Sequence, residues 1–428
     1  MRIKINKVFK WVVVLFFFWT FIFAGNLNFW FYRSNTSYIN RGLSMETWDV
    51  VADGKHNSNT DMIYWKGYFY LAYISSTHHW GTTASKLVIQ KSTNAQDWQK
   101  VTELKIEGKD IRDPKFANIT GKLYIYVLPN EGIIAAPAFT LYTVSSDGTT
   151  WSPWQKLNGV EDGWLFWRPK QHPNGTWFCP AYWNEHGRSA LFRSNDGVNW
   201  SFVSMIYTGE TNDETAIEFL HDERIICTAR LEGFSDINPL GDATASTLIS
   251  VAKAPYTSWN QTKSYTTRMD GPYIFSYNNN TYVAGRYEPE AKGSFSQLGS
   301  FFCKKRTSLY KLEEDELIYL SDLPSAGDTS YTGVVQKDGY VYISYYTSDI
   351  TKDYVWVMGQ LAPSNIRIAK IKLTNLEAVG NNPPNIEDPS PFKFDSLLLD
   401  IGFAGMAVII LIAITRQYKS YRPNQKRH

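Results

Sequence analysis

Cysteine is scarce in this chain, which has three in 428 residues: Cys179, Cys227 and Cys303. Small domains that depend on disulfides carry many more, so we expect no disulfide framework and three buried, inert thiols. An excess of one charge is also lacking, because 43 Lys and Arg residues face 41 Asp and Glu residues, a net charge of +2. This balance does not indicate nucleic acid as a partner.

Long apolar runs are few, and the two that exist lie near the ends, at residues 11–25 and 397–415. Each is near the lower limit of the roughly 17–25 residues that span a bilayer. Basic residues flank the outer end of each run, so the positive-inside rule predicts two cytoplasmic termini and an extracellular domain between them in the cell membrane.

The first run has two interpretations, an uncleaved anchor or a cleaved secretory signal peptide. No cleavage site with small residues is evident near Ala24, and aromatic residues 29–32 are typical of a membrane interface. We therefore favour a transmembrane anchor within residues 1–32.

A seven-residue pattern recurs three times, at residues 92–98, 145–151 and 194–200. Each copy has Ser six residues before a terminal Trp and Asp or Asn four residues before it, and each follows an apolar run typical of a strand. A degenerate fourth copy ends at Trp259. The copies are about 50 residues apart, close to the length of a four-stranded propeller blade. The pattern predicts tight turns in which the Ser and Asp side chains bind backbone N–H groups and the Trp packs beneath the hairpin.

Between the terminal runs no stretch has a sustained helical period, and strand-like runs alternate with polar turns. Six hairpins can be recognised, and we expect them to be the inner hairpins of six blades. They span residues 61–71, 113–126, 168–178, 214–227, 271–284 and 331–343. The predicted fold is all-β, a six-bladed β-propeller flanked by N- and C-terminal transmembrane helices.

The predicted organisation follows from these segments. It consists of a basic tip and anchor at 1–32, the propeller at 46–376, a Pro-rich tether at 377–395, a transmembrane helix at 396–415 and a basic cytoplasmic tail at 416–428.

Polar and charged residues begin the six predicted inner hairpins, near the central channel of a propeller. In five of the six they are Asp61, Arg112 with Asp113, Arg168, Asp213 with Glu214, and Asp328 with Tyr331. A channel lined in this way is a candidate binding or catalytic site.

These features resemble the sialidase superfamily, whose six-bladed propellers carry repeated turns known as Asp boxes or BNR repeats. Residues 212–220, leading to Arg230, resemble the segment in which a catalytic Glu opens a strand and an Arg closes the hairpin. Arg286 stands like a further substrate-binding arginine, and residues 327–333 like the segment of the nucleophilic tyrosine. The resemblance implies that Tyr331 is a nucleophile, Glu214 its base, and Arg230 and Arg286 ligands of an acidic sugar.

The chemistry of such a site is coherent. The carboxylate on the anomeric carbon of a sialic-acid-like sugar repels an anionic nucleophile, whereas a phenol approaches neutral and is activated by a neighbouring carboxylate. Arginine binds a carboxylate through paired, planar, charge-assisted hydrogen bonds and keeps its charge at working pH. Glycosidic hydrolysis by this route needs no cofactor, so the expected partners are a glycan substrate and the membrane.

The first predicted blade departs from the family pattern. Asp61 stands where sialidases have an arginine, so the third arginine would come from Arg112 or Arg168. The general acid, an aspartate on a first-blade loop in sialidases, would be Asp61 or His78. His78 and His79 have no third ligand at an informative spacing, so we predict no metal site.

Two alternatives remain open. The Arg112, Asp113, Pro114 sequence resembles five-bladed furanosidases and arabinanases, in which Asp61, Asp113 and Glu214 would cleave a neutral sugar. A propeller that binds carbohydrate or protein without catalysis is the other. A hydrogen bond between Tyr331 and Glu214, in a pocket shared with at least two of the named arginines, would favour the sialidase interpretation.

Overall fold

The structure is a computed structural model that describes residues 14–16, 39–133, 136–233, 246–288 and 304–384. All of these except 14–16 belong to one compact unit that extends from residue 31 to residue 386. Apart from residues 14–16, the predicted segments 1–32, 396–415 and 416–428 lie outside the described residues. Within the described ranges, no helix has the length and apolarity needed to cross a bilayer.

The unit consists of strands that pair antiparallel with their neighbours in chain order, in groups we number one to six. Group one is β2 (His56–Trp65), β3 (Tyr68–Ser76), β4 (Lys86–Ser92) and β5 (Gln99–Leu104). Group two is β6 (Asp110–Ile119), β7 (Lys122–Asn130), β8 (Leu141–Ser145) and β9 (Gln155–Lys156). Group three is β10 (Trp164–Phe166), β11 (Lys170–Gln171), β12 (Trp177–Trp183), β13 (Arg188–Ser194) and β14 (Trp200–Thr208).

The second half of the chain continues in the same way. Group four is β15 (Thr215–Phe219), β16 (Ile225–Leu231), β17 (Ser246–Ala252) and β18 (Trp259–Ser264). Group five is β19 (Asp270–Tyr277), β20 (Asn280–Tyr287), β21 (Arg306–Leu312) and β22 (Leu317–Asp322). Group six is β23 (Thr329–Lys337), β24 (Tyr340–Ser348), β25 (Ser364–Lys372) and β1 (Glu46–Val51). Two short helices, α1 (Trp356–Leu361) and α2 (Leu373–Asn381), flank β25.

The two ends of the strand succession meet in one sheet. The first strand, β1, pairs antiparallel with β25 and so completes group six. A single parallel residue pair, His56 with Ser364, joins β25 to β2 and makes groups six and one continuous. All six predicted inner hairpins are confirmed by the strand pairing, and the described unit is an all-β propeller.

The three repeated turns have the bonding that the sequence predicts. In the second copy, Asp147 Oδ1 accepts hydrogen bonds from the backbone N–H groups of Thr149 and Thr150 at 2.7 and 2.8 Å. Asn94 in the first copy and Asp196 in the third accept the corresponding pairs of bonds. Each turn joins the last two strands of its group and lies away from the inner strands along the chain.

Aromatic side chains fill the space between neighbouring groups. Tyr126 of β7, Phe166 of β10 and Trp200 of β14 are buried in one cluster, and Trp200 lies 5.1 Å from Phe166 and 6.4 Å from Tyr126 between ring centroids. Tyr126 Oη donates to the Gly197 carbonyl at 2.8 Å, so the third turn is bound to the second group. Packing of this kind stabilises the fold without disulfides. Of the cysteines, Cys179 and Cys227 are free and buried, as expected, and the third lies outside the described residues.

Candidate active site

Four of the inner strands have a β-bulge at the same place, near their first residues. The register shifts in β2, β6, β19 and β23, and the bulge of each contains a residue with left-handed backbone. These are Asn59 (φ +50°), Asp113 (φ +50°), Gly271 (φ +64°) and Tyr331 (φ +48°). Bulges redirect side chains, and such strain in a non-glycine residue persists where the surrounding structure holds it. Asn59, Asp113 and Tyr331 all line one cavity.

This cavity has a volume of about 570 Å³ and opens among the starts of the inner strands. Six of the eight residues that the sequence singles out line it: Arg112, Asp113, Glu214, Arg230, Arg286 and Tyr331. The other two, Asp61 and Arg168, are not among the described residues at its wall. The cavity has the size of a small-ligand pocket and a polar wall with charges of both signs.

Tyr331 and Glu214 are in direct contact at the wall. The Tyr331 hydroxyl donates a short hydrogen bond to Glu214 Oε1. Glu214 Oε2 accepts a second hydrogen bond, at 2.6 Å, from the backbone N–H of Gly271. The carboxylate is therefore fixed between the phenol and the bulge of β19, and of these two hydrogen-bond partners in the described residues, Tyr331 is the one with an ionisable proton.

Burial governs the ionisation of this pair. Burial is the largest effect on Glu214 and raises its pKa, Arg230 lowers it, and Asp213, Asp270 and Asp113 raise it, so that the pKa is about 7. Burial and the Glu214 charge raise the pKa of Tyr331 well above its usual range. Tyr331 is therefore a neutral phenol in the empty cavity, next to a carboxyl group that titrates near neutral pH.

Arg230 is held in place by acidic partners. Its Nε donates to Asp213 Oδ1 at 2.6 Å, and its Nη2 also contacts Asp213 and lies 3.3 Å from Glu232 Oε1. Its Nη1 lies 3.4 Å from Glu214 Oε1 and 3.6 Å from Asp270 Oδ1. Despite burial, these carboxylates raise the pKa of Arg230, so the cation is permanent.

Arg286 is fixed beside the ring of Tyr331. Its Nε donates to the Thr329 carbonyl at 2.9 Å, and Nη1 donates to Asp270 Oδ2 at 3.1 Å. The guanidinium carbon lies 5.3 Å from the centroid of the Tyr331 ring. Asp270 thus connects the two arginines, because it lies near both guanidinium groups.

Arg112 and Asp113 reach the cavity from β6. Arg112 Nε donates to Asp110 Oδ2 at 2.6 Å, and Nη2 donates to the His79 carbonyl at 2.7 Å. Asp113 follows directly in the bulge, where Oδ1 accepts a hydrogen bond from Asn59. The third cavity arginine is therefore Arg112, one of the two that the sequence offered.

Asp61 and Arg168 form a buried ion pair with each other. Arg168 Nη1 lies 2.6 Å from Asp61 Oδ2, which also accepts the Phe116 backbone N–H at 2.6 Å. Arg168 Nη2 donates to the Thr332 carbonyl at 3.2 Å. Asp61 has no exposed surface, so it cannot exchange a proton with a sugar in the cavity, and the charge of Arg168 is neutralised in this pair. The expected roles in acid catalysis and sugar binding have no geometric basis at these two positions.

Several residues at the site had no signal in the sequence. Lys115 is buried, with Nζ 4.3 Å from the Trp167 ring centroid, and burial lowers the pKa of its ammonium group to about 8. His79 and Trp356 line the cavity wall beside Arg286. Their positions depend on contacts between distant segments, so only the three-dimensional structure brings them together.

No family model matches the sequence, and no curated protein matches it. In fold, the chain is similar to phage phi92 endosialidase, with a TM-score of 0.57 and 9% identity over 77% of this chain and 69% of that chain. It is also similar to Trypanosoma rangeli sialidase solved with sialic acid, with a TM-score of 0.54 and 14% identity over 80% of this chain. The match covers 59% of that sialidase, less than two thirds of its length. These likenesses show a propeller fold of the type found in sialidases.

Proposed function

We propose that this protein is an exo-acting glycoside hydrolase that removes a terminal acidic sugar of the sialic acid type. The observation that carries the proposal is the hydrogen bond from Tyr331 to Glu214 at a cavity wall that also bears Arg112, Arg230 and Arg286. A phenol paired with a carboxylate and surrounded by arginines suits an anionic sugar better than a neutral one.

The proposed reaction has two steps. In the first, Tyr331 Oη attacks the anomeric carbon while Glu214 takes the phenolic proton, and the bond to the aglycone oxygen breaks as that oxygen is protonated. In the second, water attacks the same carbon, the bond to Tyr331 breaks, and Glu214 returns the proton to the phenolate. The anomeric configuration is retained because two displacements occur on opposite faces.

Asp113 is the proposed acid and base for the aglycone oxygen and the water. It replaces Asp61 in this role because Asp113 lines the cavity whereas Asp61 is sealed in the pair with Arg168. The left-handed bulge directs its carboxylate into the cavity from the strand group next to that of Asp61. His78, the other expected acid, is not among the described residues that line the cavity.

Arg112, Arg230 and Arg286 are the proposed ligands of the sugar carboxylate. Each has at least one carboxylate or carbonyl partner that fixes its side chain, so little conformational entropy is lost when the sugar binds. The three arginines keep their positive charge at working pH. The sugar carboxylate keeps its negative charge down to low pH, so the two can pair throughout this range.

We further propose that the six strand groups are six blades, with the repeated turns as Asp boxes. The single parallel pair between β25 and β2 supports treating the eight-stranded sheet as two blades. The apolar runs at the ends support a membrane anchor at each terminus, with the propeller on the extracellular side of the cell membrane.

A panel of fluorogenic glycosides with acidic and neutral sugars tests this function. We expect the wild type to release the fluorophore from a sialic acid glycoside and the Tyr331→Phe variant to lose at least about 10³-fold in kcat. Arg168→Lys is a control, because this arginine lies outside the cavity. Release from neutral furanosides alone would support the furanosidase alternative, and no release from any glycoside by a folded protein would support a binding propeller.

A further inference from the structure

Three side chains with metal-ligand atoms meet at the edge of the cavity. His56 Nε2, His79 Nδ1 and Asp328 Oδ2 all lie within 4.8 Å of one another. The side chains of His56 and Asp328 are fully buried, and that of His79 is 15% exposed and lines the cavity. The three come from the first residue of β2, the segment after β3 and the segment before β23, so the fold alone brings them together.

These three atoms are buried, and none has a hydrogen-bond partner in the described part of the chain. Asp328 Oδ2 lies 2.6 Å from His79 Nδ1 and 3.1 Å from His56 Nε2, yet neither contact has the alignment of a hydrogen bond. Three buried ligand-type atoms in close ion-pair contact, without a hydrogen bond among them, are an arrangement that one shared ligand would satisfy.

The hydrogen bonding of His56 sharpens this requirement. Its Nδ1 lies 2.8 Å from the Ala362 carbonyl oxygen, which only accepts, so Nδ1 must carry the proton. Nε2 is then the His56 atom that faces the Asp328 carboxylate, 3.1 Å from Oδ2. A cation held by both atoms would offset the charge of this buried carboxylate.

The outer contacts of the cluster are those of a supported metal site. The Ala362 carbonyl orients the His56 ring through the nitrogen that faces away from the cluster. Asp328 Oδ1 accepts hydrogen bonds from Tyr346 Oη at 3.0 Å and from Trp356 Nε1 at 2.7 Å. Such bonds fix the tautomer and direction of the ligating atoms and raise their affinity for metal.

We propose that His56, His79 and Asp328 bind one divalent transition-metal ion of the zinc class. Two imidazole nitrogens and one carboxylate oxygen are a ligand set that zinc uses, with bonds of about 2.0–2.2 Å. Ligand atoms around a tetrahedral ion are about 3.4 Å apart, so metal binding requires the His79 ring and the Asp328 carboxylate to separate from 2.6 Å, and any ligand pair near the 4.8 Å limit to approach. The fourth position is left for water.

The three side chains lie where strand groups one and six meet. His56 also supplies the one parallel pair between β2 and β25, and Asp328 immediately precedes β23. Asp328 Oδ1 lies 3.5 Å from Arg286 Nη2, and His79 lies in the cavity wall. The ion therefore closes the ring and positions one wall of the cavity, and this role does not depend on the glycosidase proposal.

The test uses the full chain, purified in detergent, stripped with a chelator, dialysed against Zn²⁺ and then freed of unbound metal. Metal per chain is measured by mass spectrometry for the wild type and for His79→Ala and Asp328→Asn. His78→Ala is the matched control, because His78 is the neighbour of His79 in the chain and its Nδ1 forms a hydrogen bond with the Trp80 carbonyl oxygen instead. Cobalt replaces zinc in a parallel sample, whose visible spectrum reports the ligand geometry.

We expect about one Zn²⁺ per chain in the wild type and in His78→Ala, and at least tenfold less in the two ligand variants. Zn²⁺ should also raise the unfolding temperature of the stripped wild type but not of His79→Ala, which separates lost binding from a folding defect. The proposal is overturned if the folded wild type retains no more zinc than His79→Ala, in which case a proton on His56 occupies the site. Metal content is measured without substrate, so its result is independent of glycosidase activity.

Discussion

The carboxyl group of Glu214 lies among charges of both signs. Arg230 Nη1 is 3.4 Å from Oε1, while Asp213, Asp270 and Asp113 all act to raise its pKa. The largest effect is burial, and together these effects bring the pKa to about 7. A base with this pKa is half ionised near neutral pH, where it accepts the Tyr331 proton and later returns it.

The pH dependence of activity follows from this pKa. Only ionised Glu214 activates Tyr331, so kcat/KM should rise about tenfold per pH unit below about pH 7 and level off above it. Glu214→Gln should remove this limb and lower kcat by about 10²- to 10⁴-fold. The measurement is kcat/KM between about pH 5 and pH 9 for both proteins.

Glu185→Gln is the control for this profile, because Glu185 also lines the cavity but lies outside the hydrogen bonds of Tyr331. The Glu185→Gln variant should keep the rise of kcat/KM with pH that the wild type shows. If the rise in kcat/KM of the wild type had its midpoint at about pH 4.5, the ordinary pKa of Glu, the base would not be a buried carboxyl group.

At the scale of single residues, the sequence predicts those site residues that can be recognised from the segment in which they lie. Tyr331 and Glu214 could be predicted because each lies in a segment, at the start of an inner hairpin, that resembles a sialidase segment, and the structure brings the two side chains together. Asp61 and Arg168 begin inner hairpins too, but they neutralise each other. An ion pair between residues 107 positions apart leaves no trace in the pattern of either segment.

The inner strand with its early bulge is the element that forms the site. The bulge recurs in four groups, and in three of them its left-handed residue reaches the cavity. Hairpin positions could be predicted from alternating apolar runs and polar turns. The bulges could not, because one of the four left-handed residues is Tyr331, a bulky residue that ordinarily avoids that conformation.

Gly271 is essential in its bulge for two reasons. Its φ is +64°, and a Cβ atom there would lie 2.9 Å from Tyr331 Cδ2 and 3.0 Å from Cγ. Gly271→Ala should therefore displace the Tyr331 ring and lower kcat by about 10- to 100-fold. It should also lower the free energy of unfolding by about 1 kcal/mol or more, through backbone strain. Kinetics and urea denaturation measure the two effects.

Gly108→Ala separates strain from displacement. Gly108 has φ +68°, nearly the same as Gly271, but an added Cβ would meet no atom within 4 Å. It should lose similar stability and keep full kcat. Equal kcat losses in both variants would show that the contact with Tyr331 is unimportant.

At the scale of the whole molecule, the chain closes on itself through its first strand. β1 pairs with β25 along most of its length, and Asn40 donates its backbone N–H to Asp322 Oδ2 at 3.0 Å. The buried side chains of Leu43 and Val51 add apolar contacts on either side of this strand. Without this segment, β25 would be an unpaired edge open to association with other chains.

Two truncations test the closure. Removal of residues 1–38 should leave a folded, monodisperse propeller, because the closing contacts of the described residues all involve Asn40 and later positions. Removal of residues 1–52 should lower the free energy of unfolding by at least about 3 kcal/mol, from two buried side chains alone, and promote aggregation. Urea denaturation and size-exclusion chromatography measure the outcome. Equal stability of the two proteins would show that β1 does not close the ring.

The propeller architecture could be predicted because the repeats set its period and the hairpins its strands. Closure by β1 could not, since residues 46–51 carry no repeat and pair with a strand more than 300 positions away. The membrane anchors at 1–32 and 396–415 remain predictions from apolar runs and flanking charge.

The most direct test of the central claim is to trap the sugar on the enzyme. With a difluorinated sialic acid analogue, Tyr331 Oη should displace the anomeric fluoride, which leaves as a free ion, and form a stable glycosyl-tyrosine. Mass spectrometry of the digested protein should locate the sugar on the peptide that contains Tyr331. The Tyr331→Phe variant should carry no label. Label on Asp113 or Glu214, or no label at any residue from the analogue of a sugar that the enzyme hydrolyses, would contradict the account.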